Sequence, residues 1–118
     1  MKFSTTAVGG TVEILASDDF QAVPLAITES DVVKAGMPIT QDGKSAPTGA
    51  SAIGVLLYDV DPNENPNAAI VVDGILDWAK CKKNSGATAT AQQMADALPN
   101  IVFRDVADDG KTYAPTAG

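Results

Sequence analysis

Histidine is absent from the 118 residues, and with it go the usual general base at neutral pH and the commonest nitrogen ligand for zinc, copper or iron. Most hydrolase and metalloenzyme constellations are excluded at once. A single cysteine, Cys81, rules out a disulfide within the chain, so stability must come from packing or from partner chains. Aromatics make up only 5% of the residues, so a core has to be built from Val, Ile, Leu and Ala, which favours a β-rich interior. Basic residues are scarce too. Eight against fifteen acidic ones give a net charge of -7, which disfavours a phosphate backbone and speaks against a nucleic-acid partner. There is no Gly-x-Gly-x-x-Gly or Walker sequence to cradle a phosphate. No segment approaches the ~20 apolar residues of a membrane helix, and "MKFSTTAVGG" lacks the apolar centre of a secretory signal. These absences predict a non-enzymatic protein without metal, cofactor or membrane partner, retained in the cell that makes it.

What is present is a chain that fits one domain, with 45% hydrophobic residues distributed in short runs. Residues 1–10 are small and polar and read as an arm, residues 11–106 as a β domain, and residues 107–118 as a loose tail. "TVEILA" and "FQAVPLAI" read as strands, with Pro24 demoting the second to an edge or bulged strand. Ala35-Gly36 and Asp42-Gly43 mark turns on either side of a short strand at 37–40. In "AIGVLLYDV", Ile53, Val55 and Leu57 fall on one face and Leu56, Tyr58 and Val60 on the other, so the strand should be covered on both sides. In "AAIVVDGILDWA", Ile70, Val72, Leu76 and Trp78 share a parity opposite Asp73 and Asp77, predicting a half-exposed strand, broken or bulged at Gly74.

"KCKKNSGATAT" reads as a connection leading to the one convincing helix, over 91–98. Thr90-Ala91-Gln92-Gln93 matches a capping box, and Ala91, Met94, Ala95 and Leu98 line one face before Pro99 stops the helix. A last strand, "IVFRDV", alternates Ile101 and Phe103 against Arg104. The expected fold is mainly β: a small antiparallel β barrel or clip-like (β-tulip-like) domain with one short C-terminal helix.

Three places invite a chemical reading. Asp59-Val60-Asp61-Pro62-Asn63 has the D-x-D-x-N spacing of a calcium loop, but the sixth and twelfth positions, Glu64 and Ile70, lack the required glycine and carboxylate. A polar connection between strands fits better. Lys80, Lys82 and Lys83 around Cys81 would favour a thiolate, yet no histidine completes a pair, so a packed thiol is expected and the lysines read as solvated or as a contact for an acidic partner. Asp73 and Asp77 sit about 13 Å apart along a strand, too far for a glycosidase pair. Trp78 follows the parity of the apolar set and reads as a core or interface anchor.

"DVVKAGMPIT-QDGK" followed by "ASAIGVLLYDVDPNENPNAAIVVDGILDWAKCKK" resembles the head decoration and head fibre proteins of tailed bacteriophages, through Ala35-Gly36, residues 52–56 and residues 71–76. The resemblance spans about residues 30–83. It implies a small β domain, often a homotrimer, that assembles in the host cytoplasm onto the outer surface of the virion's major capsid protein and catalyses nothing. Met1, Lys2 and Phe3 on the arm are then the candidate capsid contacts, because an extended arm can add a strand to a partner's sheet. Ile53, Val55, Leu57 and Trp78 are the candidate oligomer interface, because the two-sided apolar strand carries more apolar surface than a small core needs. The alternative reading is a small-ligand-binding β-clip module, since the turn around Val33, Gly36 and Ile39 also occurs in domains that bind sugars or anions.

Overall fold

The computed structural model describes residues 14–15, 20–105 and 111–113. The arm at 1–10, including Met1, Lys2 and Phe3, lies outside the described residues. Six strands and two helices follow one another as β1 (Gln21–Ala26), β2 (Pro38–Thr40), β3 (Ala52–Leu56), β4 (Asn67–Asp77), α1 (Trp78–Ser85), α2 (Ala91–Ala97), β5 (Ile101–Asp105) and β6 (Lys111–Tyr113). The fold is mainly β, as the composition predicts. The sheet does not close into a barrel: its order is β2-β3-β4-β5-β6 with β1 also on β4, and among the described strands β1, β2 and β6 each have one neighbour. Pairing is antiparallel except between β4 and β5, which run parallel because α1 and α2 carry the chain back across the sheet.

Strand β4 organises the molecule. Its first half pairs with β1 on one side and β3 on the other, and from Gly74 to Asp77 it pairs with β5 instead. The strand is not broken at Gly74; that is where it changes neighbours. Nor is it half-exposed throughout, since Ile70 and Val71 are both fully buried. Val55 pairs with Val71, and Leu56 with Ile70, so β3 and β4 form a wall with a core on each face. Val55, Leu57, Val71, Trp78, Met94 and Phe103 belong to the larger cluster. Leu56, Ile70, Ile27, Val33, Ile39 and Val60 form the smaller one. Tyr58, read as part of the same strand, lies beyond the end of β3 and is exposed, but the prediction that β3 is covered on both faces holds. Its assignment of faces fails at Ile53: a register shift between Ile39 and Thr40 skips that residue, and Ile53 packs with Leu56 while Ala52 joins Val55 and Leu57.

Edge strand β1 carries Pro24 and a register shift between Gln21 and Ala22, consistent with a residue that cannot donate to a ladder. Helix α2 starts with the expected capping box, in which the Thr90 hydroxyl accepts from Gln93 N and the Gln93 side chain accepts from Thr90 N. Ala91, Met94, Ala95 and Leu98 are all buried.

The sequence reading gives one helix; the described residues form two. Helix α1 occupies the stretch read as a connection, and Trp78 is its first residue rather than the end of β4. Asp77 caps it, with Oδ1 accepting from Lys80 N at 3.3 Å. Gly86 ends it in the left-handed conformation at φ 82, and Lys82 and Lys83 sit in the last turn, where the dipole favours positive charge. The tail reading also changes: Lys111–Tyr113 adds a strand antiparallel to β5, so part of residues 107–118 belongs to the sheet.

Candidate functional site

The sequence directs attention to the connection between β3 and β4, and there the first aspartate has a structural role. Asp59 Oδ1 accepts from Ala35 N at 2.8 Å and from Asn84 Nδ2 at 3.3 Å, while Oδ2 lies 3.5 Å from Lys34 Nζ. Asn84 Nδ2 also donates to Ala35 O at 2.9 Å. One carboxylate and one carboxamide thus tie the loop, the turn before β2 and helix α1 to one another. Both Asp59 oxygens are engaged in doing so. Asp61 acts within its own loop instead, where its Oδ1 accepts from Asn63 N at 3.0 Å and its carbonyl accepts from Glu64 N and Asn65 N, both at 2.9 Å, closing a tight polar turn. Among the described residues no three His, Cys, Asp or Glu side chains converge on a common point.

The turn named for the ligand-binding alternative is packed shut. Val33 and Ile39 are buried in the smaller core, and Gly36 N donates to Leu56 O at 2.8 Å. Gly36 adopts φ 97, and a Cβ there would lie 2.6 Å from Cys81 Cα, so the turn presses directly on α1. A concave surface exists instead beside the β3–β4 connection. It is an open depression of about 240 Å³ lined by Tyr58, Asp59, Val60, Asp61, Glu64, Asn65, Asn67, Ala68 and Ala69.

Cys81 is fully buried in the larger core and packs on the inner face of α1, away from solvent. Burial pushes its thiol far above the ordinary cysteine value, and the nearby Asp77 carboxylate pushes in the same direction. The flanking lysines do not produce a thiolate, and a packed thiol is what the fold contains. Asp77 serves as a helix cap, and Asp73 is exposed on β4.

The candidate interface residues are placed by the chain's own packing. Val55, Leu57 and Trp78 are buried in the larger core and Ile53 is half-buried against the smaller one. Trp78 meets Phe103 edge-on with centroids 5.4 Å apart, and its Nε1 donates to Ala89 O at 2.9 Å. The apolar surplus that suggested an interface is therefore absorbed by a second core within the chain. Among the described residues the exposed large apolar side chains are others: Val23, Val32, Tyr58 and Val102. Compared with known proteins, the chain matches no family model, no curated protein and no solved structure.

Proposed function

We propose that this protein is a non-enzymatic capsid decoration or head fibre protein of a tailed phage, which binds the outer surface of the major capsid lattice and stabilises it or displays a fibre. The observation that carries the reading is the unity of the segment that bears the resemblance. Within residues 30–83, which run from the Ala35-Gly36 turn through β2, β3 and β4 into α1, Asp59 ties the β3–β4 connection to the turn, and Asn84, the next residue of α1, donates to both Asp59 and Ala35. A second support is the disposition of the strands. β1, with five of its six residues exposed, offers a strand edge of the kind used to add a partner chain.

The test is direct. The purified protein is expected to form a symmetric oligomer, a homotrimer, and to co-sediment with mature phage heads. Light scattering and sedimentation read the two properties separately. Removing residues 1–10 should abolish head binding and leave the oligomer intact if Met1, Lys2 and Phe3 anchor the arm to the capsid. A monomer that ignores phage heads overturns the proposal.

A further inference from the structure

We propose that the depression beside Tyr58 is a binding site for a neutral carbohydrate. The inference is independent of the capsid reading and begins with the economy of aromatics. The chain has one Trp, two Tyr and three Phe, and it buries Trp78 and Phe103 completely, yet it holds Tyr58 48% exposed at the rim of this depression. An exposed tyrosine offers an apolar face on which the C–H face of a sugar can stack, and a hydroxyl that both donates and accepts.

The walls complete the chemistry. Asp61 and Asn65 are each fixed by one bond to the backbone two residues on, Asp61 Oδ1 from Asn63 N and Asn65 Oδ1 from Asn67 N at 3.1 Å. What remains is an acceptor, Asp61 Oδ2, and a donor, Asn65 Nδ2, on pre-ordered side chains, with the Glu64 carboxylate as a further acceptor. Neighbouring sugar hydroxyls, each able to donate and to accept, match that mixture. Other ligand classes match it poorly. A divalent cation would need several converging oxygens, but both Asp59 oxygens and one of Asp61 are already engaged. An anion would meet Asp61 and Glu64, and an apolar molecule would leave the polar groups of Asp61, Glu64 and Asn65 without partners. At about 240 Å³ the depression is smaller than the pockets of drug-sized ligands and suits one end of an oligosaccharide.

The experiment is an amide NMR titration of the full ¹⁵N-labelled chain with maltotriose, cellotriose and triacetylchitotriose in turn, and with calcium chloride and sialyllactose as the other arms. One of the neutral sugars should move resonances across residues 58–69 and leave those of residues 78–98 in place. Tyr58→Ala should weaken that binding at least about fivefold, and Tyr58→Phe should largely restore it. An unchanged amide spectrum over 78–98 in the alanine variant establishes that it folds. The proposal is overturned if none of the neutral sugars moves residues 58–69, if calcium or the anionic sugar moves them instead, or if Tyr58→Ala binds as well as the parent. Co-sedimentation of the same variants with phage heads reads the capsid proposal separately.

Discussion

On one face of the β3–β4 wall, Trp78, Met94 and Phe103 fill a core covered by α1 and α2; on the other, Ile39, Leu56 and Ile70 are closed over by turns. The helix-backed side has two large aromatic rings in contact and buried apolar side chains from both helices. The turn-backed side contains no aromatic ring among its buried residues and depends on directed bonds: Val33 and Val60 exchange two backbone bonds of 2.8 Å, and Asp59 holds Ala35. Apolar area stabilises the first side, at roughly 25 cal/mol per Å² removed from water. Where such area is short, polar ties and close backbone contacts fix the chain. The comparison predicts that truncating a side chain costs most on the helix side, and that backbone and polar changes cost most where the turns meet it.

Trp78→Ala carries the largest expected loss, about 3–5 kcal/mol, because it removes a fully buried ring, its edge-on contact with Phe103 and the donor to Ala89 O. Urea unfolding followed by far-UV circular dichroism measures it. A loss under about 1 kcal/mol would mean that the helix side is not the principal core.

Gly36→Ala should come next, at about 2–4 kcal/mol. The substitution adds a methyl group 2.6 Å from the Cys81 backbone at φ 97, combining an unfavourable conformation with a clash against helix α1. Its effect should reach across the wall. Protection of the α1 amides from hydrogen exchange is expected to fall together with global stability.

Asp59→Ala is expected to cost about 1–3 kcal/mol, mainly by leaving the N–H of the buried Ala35 without its acceptor. The exposed pair with Lys34 adds at most a fraction of that. Lys34→Ala should therefore be close to neutral in the same unfolding assay. Equal losses from the two variants would show that the ion pair, and not the backbone bond, is the tie.

Much of this arrangement is legible in the sequence because its causes are local. Thr90 and Gln93 declare the start of α2, Pro24 marks an edge, and apolar residues on both parities around Val55 announce a strand covered twice. Helix α1 is not legible because "AKCKKNS" has little apolar periodicity: only Trp78 and Cys81 are buried, and Trp78 extends the alternating pattern of β4. Its signals were the flanking Asp77 and Gly86, with Lys82 and Lys83 in the last turn. The parallel pairing of β5, the register shift at Ile53 and the role of Asp59 depend on partners distant in the chain. Ala35 and Asn84 lie 24 and 25 residues from Asp59, beyond the reach of any spacing rule. For that reason a structural tie carries the spacing of a calcium loop.

The buried thiol gives a smaller, pH-dependent test of the helix side. Burial raises the Cys81 pKa in the folded chain, whereas the unfolded chain ionises near its ordinary value of about 8.5. The thiol's contribution is fully present below that value and is lost as pH rises above it, by up to about 1.4 kcal/mol per pH unit. Cys81→Ala should remove this slope. If parent and variant lose stability in parallel between neutral and alkaline pH, the thiol is not its source.

Gly86→Ala sharpens the comparison with the smallest expected effect, about 1 kcal/mol. Gly86, like Gly36, has a positive φ, 82 against 97, but a Cβ at Gly86 meets nothing within 4 Å. Only the conformational cost of a left-handed residue at the end of α1 remains. The difference between the two glycine variants therefore isolates what close contact between the turn and the helix contributes. If both variants lose the same stability in urea, the turn before β2 does not bear on α1, and the two cores are coupled through the β3–β4 wall alone.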